Sequence, residues 1–112
     1  MTETDLTQAR GCWERRDDVQ ILDVREGWEW DAGHIDGSLH IPLNELLGGR
    51  MESLEKNRPV VAVCKTGNRS EVAALMLRAR GYEAHNLEGG VEDWSTEGLP
   101  LVTDEGEPGR VA

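Results

Sequence analysis

Apolar positions along this chain change their spacing several times, from helix-like recurrence to the short unbroken runs of buried strands. Leu6, Ala9 and Trp13 recur at helical spacing behind Thr4, which predicts a first helix capped by that threonine and weakened by Gly11. Asp17-Asp18 marks a turn, and Val19 to Val24 then reads as a short strand apolar enough to be covered on both faces. Glu26 to Ala32 predicts one helical turn. Ser38 to Ile41 predicts a second strand, stopped by Pro42, and Asn44 to Leu54 holds two small helical pieces split by Gly48-Gly49. The clearest strand is Pro59-Val60-Val61-Ala62-Val63, because β-branched residues dominate it and a proline occupies its edge.

The clearest helix begins in the loop just beyond that strand. Val72, Leu75, Met76 and Ala79 lie on one of its faces, and Gly81 is a natural stop. Tyr82 to Asn86 returns as a strand, and Gly89-Gly90 leads into a last helix holding Val91 and Trp94. Strands alternating with helices at this spacing predict an α/β domain, with a central, mostly parallel sheet flanked by helices on both faces.

Composition sharpens this picture at three points. A chain of 112 residues with 38% hydrophobic content predicts one core and one domain, assigned to residues 5–102. The segment from Thr103 to Ala112 has almost nothing to bury and is expected to be an acidic tail, either mobile and solvated or loosely packed. A net charge of -10 opposes binding to nucleic acid or to anionic membranes. No apolar run approaches the length of a membrane span, and the acidic start of the chain is unlike a signal peptide, so the expected location is the cytoplasm. A disulfide between Cys12 and Cys64 is therefore set aside.

The candidate chemistry lies in Cys64-Lys65-Thr66-Gly67-Asn68-Arg69-Ser70, which joins the best strand to the best helix. Ligands of open α/β sheets bind outside the carboxyl ends of the strands. Gly67 permits a tight turn, the loop's N–H groups can converge on an anion, and the following helix points its positive end there. Lys65 and Arg69 add cationic charge within an otherwise acidic chain. Such a setting favours thiolate and lowers a cysteine's pKa, to roughly 3.5–7.5 in reactive cases. Cys64 is thus the candidate nucleophile, with Lys65, Thr66, Gly67, Asn68, Arg69 and Ser70 binding substrate.

This loop resembles the active-site loop of rhodanese-homology domains, in which a cysteine heads a cradle of backbone amides and becomes persulfidated. Leu22-Asp23-Val24-Arg25-Glu26 and Gly33-His34-Ile35-Asp36-Gly37-Ser38-Leu39-His40-Ile41-Pro42 resemble that family's first two motifs. Gly81-Tyr82 and Asn86-Leu87-Glu88-Gly89-Gly90-Val91-Glu92-Asp93-Trp94 are similar to its closing signature. The resemblance implies the three-layer rhodanese fold and a sulfurtransferase. Such an enzyme passes sulfane sulfur from a small anionic donor, such as thiosulfate, to a thiophilic small-molecule or protein acceptor. No cofactor is implied.

Two rival readings remain. Cysteine-based phosphatases and arsenate reductases place five residues between cysteine and arginine, whereas four separate Cys64 from Arg69, so the cradle is short for a phosphate. A docking or sulfur-sensing module with weak turnover is the other. Asp23 and Arg25 read as architectural partners, His34 as a scaffold residue, and Cys12 as a packing residue that could also serve as a resolving thiol. Trp28 and Trp30 flank Glu29, so one of them is a candidate for exposure. His40 and His85 show no ligand-like spacing, and no metal site is expected.

Overall fold

The computed structural model describes residues 5–112 and arranges four parallel strands in the order β2-β1-β3-β4. These are β1 (Gln20–Asp23), β2 (Leu39–His40), β3 (Val60–Val63) and β4 (Ala84–Asn86). Five helices alternate with them: α1 (Ala9–Glu14), α2 (Gly27–Ala32), α3 (Leu43–Leu47), α4 (Asn68–Ala79) and α5 (Gly90–Thr96). Parallel strands cannot be joined by a tight hairpin, so each connection carries chain across a face of the sheet. This is the α/β architecture that the alternating pattern predicts.

Every residue of β1 and β3 is buried, which explains their unbroken apolar character. Their alternating side chains feed two separate cores. Ile21, Val61 and Val63 join Leu6, Ala9, Cys12, Val91 and Trp94 beneath α1 and α5. Leu22, Val60 and Ala62 join Leu46, Ala73, Ala74 and Leu77 beneath α3 and α4. Each wholly buried leucine or valine contributes about 1.5–3 kcal/mol of burial energy, so both faces anchor the sheet. The register places Asp23 beside Val63 and Ala62 beside Asn86, so β1, β3 and β4 all end at the same edge.

The helix after the candidate loop is oriented differently from its most apolar pattern. Ser70, Ala73, Ala74 and Leu77 are buried, whereas Val72 and Leu75 are exposed at 46% and 58%. Two stripes of i, i+3, i+4, i+7 spacing compete on α4, and the one with smaller residues faces inward. Its alanines let the helix lie close to the sheet, and the same rotation brings Ser70 to the end of β3.

Other expectations shift at the ends of elements. Thr4 lies outside the described residues, and α1 begins after Gln8 without a side-chain cap. Only Leu43–Leu47 forms a helix in the segment expected to hold two. Residues 103–112 make backbone hydrogen bonds with the domain. Val102 bridges His34, the Gly109 N–H donates to the Leu101 carbonyl, and the Arg110 N–H donates to the Ala32 carbonyl. Val111 packs on the α1/α5 core. Backbone pairing therefore supplies what the tail's polar side chains lack. Among the described residues, no helix is long and apolar enough to cross a membrane.

Candidate active site

Cys64 follows β3 directly, and the loop it opens is tied to the start of α5. The N–H groups of Val91 and Glu92 donate to the carbonyls of Cys64 and Lys65 at 3.0 and 3.1 Å. With their carbonyls held by α5, the peptides of the loop are free to turn N–H groups toward the sulfur. Gly90 makes the approach possible: its φ is +58°, and a Cβ there would lie 2.3 Å from the Cys64 carbonyl oxygen. Gly67, at φ +109°, makes the second sharp turn just before α4.

Inside the loop, the Gly67 N–H donates to Cys64 Sγ at 3.1 Å, and Ser70 Oγ lies 3.3 Å from the same sulfur. Burial of Cys64 pushes its thiol up. Hydrogen bonds from the Ser70 hydroxyl and from the N–H groups of Ser70, Gly67 and Thr66 outweigh that effect together, so the thiol lies below its ordinary value. Cys64 is 1% exposed, while Thr66 and Asn68 form the exposed rim of the loop.

Of the two cations expected to hold an anion, Arg69 is paired and Lys65 makes only a loose, exposed contact. Arg69 spans Glu29 with both terminal nitrogens, at 2.7 and 2.9 Å, and Lys65 Nζ lies 4.0 Å from Glu92. The Arg69 hydrogen bonds, against the opposing effect of burial, bring the Glu29 carboxyl down to about 2. Glu29 in turn raises Arg69. Arg69 thus ties α2 to the loop, and charge stabilisation at Cys64 falls mainly to N–H groups, to Ser70 and to the dipole of α4.

Cys12 and Cys64 are both free thiols in separate cores. Burial pushes the Cys12 thiol up to about 12, which removes the thiolate a resolving cysteine needs. Asp23 and Arg25 form a buried pair with contacts of 2.8–3.1 Å, and Arg25 also donates to the Gly33 carbonyl at 2.7 Å. They brace neighbouring loops. His34 Nδ1 is 3.0 Å from the Trp30 carbonyl oxygen, and its ring stacks on Trp30 at 3.5 Å. Trp28 is the exposed member of its tryptophan pair, at 67%.

Three contributors escape a reading of the sequence. Glu29 sits 40 residues from Arg69, and nothing in its local sequence distinguishes it from the chain's many other acids. Asn86 donates through Nδ2 to the Gly67 carbonyl at 3.0 Å and meets Ser70 Oγ at 2.5 Å. Gly90 looks like one of an ordinary pair. A signal for Asn86 does exist: it is a polar residue ending the strand beside β3, at the edge where Cys64 lies.

Comparison with known proteins agrees with this geometry. Residues 9–97 match the family described as the rhodanese-like domain. A sulfurtransferase of Allochromatium vinosum is 38% identical over 91 residues, covering 80% of this chain and 84% of that protein. The thiosulfate sulfurtransferase GlpE of Shewanella oneidensis is 38% identical over 77 residues, covering 68% of this chain and 75% of that protein. The crystal structure of a rhodanese-related protein from Thermoplasma volcanium superposes with a TM-score of 0.82 at 34% identity, covering 87% of this chain and 96% of that one. A four-stranded parallel sheet covered on both faces, a cysteine opening the loop after β3 and a family match over most of its length place this chain in the rhodanese-like domain family of sulfurtransferases.

Proposed function

We propose that the protein transfers sulfane sulfur through a persulfide on Cys64, with thiosulfate as a competent donor. The observation that carries this reading is the pair of donors, the Gly67 N–H and the Ser70 hydroxyl, aimed at a buried sulfur whose thiol is lowered. The Cys64 thiolate attacks the outer sulfur of thiosulfate. An S–S bond forms to Sγ, the S–S bond of thiosulfate breaks, and its electron pair leaves with sulfite. A thiophilic acceptor then attacks the outer sulfur, and Sγ departs as thiolate. The charge returns to the same donors in each half-reaction, so no cofactor is required to store it.

Cys64 is buried, while Thr66 and Asn68 in the same loop are exposed. Lys65, with its side chain 41% exposed, attracts the anionic donor, while Arg69 shapes the rim through Glu29. The phosphatase alternative is poorly supported. Ser70 stands where that chemistry needs an arginine, and its hydroxyl turns inward to the sulfur. Two free thiols suit a reducing compartment, and we place the protein in the cytoplasm on that ground.

Incubation with thiosulfate followed by cyanide should yield thiocyanate, and Cys64→Ser should abolish it. Undiminished turnover in that variant sinks the assignment. Intact mass after thiosulfate alone should show one additional sulfur, located on the Cys64 peptide.

A second reading, a docking module for an acceptor protein, is tested in the same way. Equal capture of an acceptor protein by the wild type and by Cys64→Ala would support docking independent of sulfur. Capture only by the persulfide form would support delivery.

A further inference from the structure

The hydroxyl of Ser70 faces two acceptors and carries one proton. Cys64 Sγ is 3.3 Å from Ser70 Oγ on one side, and Asn86 Oδ1 is 2.5 Å from it on the other. The amide of Asn86 is oriented by its Nδ2, which donates to the Gly67 carbonyl and so turns Oδ1 toward Ser70. A hydroxyl can accept from one neighbour while donating to another, but cannot donate its single proton fully to both.

The two protonation states of Cys64 therefore demand different arrangements. With a neutral thiol, S–H donates to Ser70 Oγ, the Ser70 proton points to Asn86 Oδ1, and each group is satisfied. With a thiolate, the Ser70 proton turns to Sγ, and Asn86 Oδ1 loses its donor. Asn86 then competes with the thiolate for one hydrogen bond. Its contact with Gly67 has the opposite tendency, because it steadies the peptide whose N–H reaches Sγ.

We propose that Asn86 is a positioning residue that holds the Ser70 hydroxyl between Cys64 and its own amide, and thereby sets how readily Cys64 becomes thiolate. The consequence for catalysis rests on the sulfur-transfer reading above. A sulfur bound too tightly as thiolate is a weaker nucleophile, and one held as thiol is inactive, so a competing acceptor adjusts the balance. Sulfur leaving the persulfide regains the thiolate and draws the Ser70 proton back.

The charges around Cys64 are arranged in pairs that a neutral change at Asn86 leaves intact. Lys65 in the loop faces Glu92 on α5, Arg69 on α4 is held by Glu29 on α2, and Asp23 at the end of β1 is held by Arg25. Asp93, in the first turn of α5, stands over Gly89. Beside Asn86 on β4, His85 is paired with Glu83.

The test is the pH dependence of Cys64 alkylation by iodoacetamide in the full chain, read on the Cys64 peptide by mass spectrometry. Wild type, Asn86→Leu, Ser70→Ala and the double variant form a cycle. Removing the competing acceptor should shift the midpoint of Asn86→Leu downward by about half a unit to one unit, the scale of one hydrogen bond. The same substitution made together with Ser70→Ala should lose that downward shift, leaving at most the upward shift that follows from losing the contact with Gly67. An upward shift or no shift in Asn86→Leu alone, or an equal shift in both backgrounds, overturns the proposal.

If circular dichroism shows Asn86→Leu unfolded, Asn86→Ala, which also keeps the site neutral, replaces it. It too removes the competing acceptor, so its downward shift should disappear when Ser70→Ala is also present, and a downward shift that persists there overturns the proposal. Alkylation does not depend on thiosulfate turnover. Failure of sulfur transfer would appear as absent thiocyanate in the wild type, separately from any result of this cycle.

Discussion

Arg69 donates from both of its terminal nitrogens to the two carboxylate oxygens of Glu29, and this paired contact joins α2 to the first turn of α4. It makes Arg69, expected to bind substrate, a brace between α2 and the loop that carries the thiol. Glu29 is buried and Arg69 half-exposed, so the pair is stronger than a surface contact but still screened on one side.

The pair predicts a pH-dependent stability. The Glu29 carboxyl is depressed in the folded chain from 4.5 to about 2, so its stabilisation is present above 4.5 and is lost as pH falls toward 2. Urea unfolding of wild type and Glu29→Gln at pH 6 and at about pH 3 should therefore show a large difference at the higher pH and a smaller one at the lower. An equal difference at both would assign the effect to packing.

Gly90 predicts a local failure of the loop. Its positive φ and the 2.3 Å approach of a Cβ to the Cys64 carbonyl leave no room for a side chain without moving the loop or α5. Gly90→Ala should destabilise the fold by about 1–3 kcal/mol and should slow alkylation of Cys64 at neutral pH. Thermal melting and the alkylation rate together check this.

The rotation of α4 predicts contrasting costs for two neighbouring leucines. Leu77 is wholly buried and Leu75 is 58% exposed. Leu77→Ala should cost about 2–5 kcal/mol, and Leu75→Ala about 0.5 kcal/mol or less, in denaturant titrations. Equal costs would contradict the orientation of the helix.

The two cysteines should differ sharply in reactivity. Near neutral pH, Cys64 should react with iodoacetamide in the native protein, whereas Cys12, wholly buried and with its thiol near 12, should be labelled only after denaturation. Peptide mapping with and without denaturant distinguishes them.

Much of the fold is legible in local pattern. The run Val60–Val63 can satisfy its backbone and its side chains only as a strand covered on both faces, and Gly67 before Asn68 allows a helix to start at once. Cys64 at that junction is marked out by spacing alone. The order of motifs then indicates the family, which the comparisons establish.

The sequence by itself determined the alternation of strands and helices, the place of Cys64 after β3 and the four-residue interval before Arg69, because each depends on residues close along the chain. Only the tertiary structure decided that Glu29 engages Arg69, that Ser70 and not Val72 faces inward, that residues 103–112 lie against the domain, and that Asn86 meets Ser70. Those outcomes depend on which surfaces meet when the sheet closes. Contacts across 16 or 40 residues leave no period in the sequence, and their energies are settled by burial and geometry together.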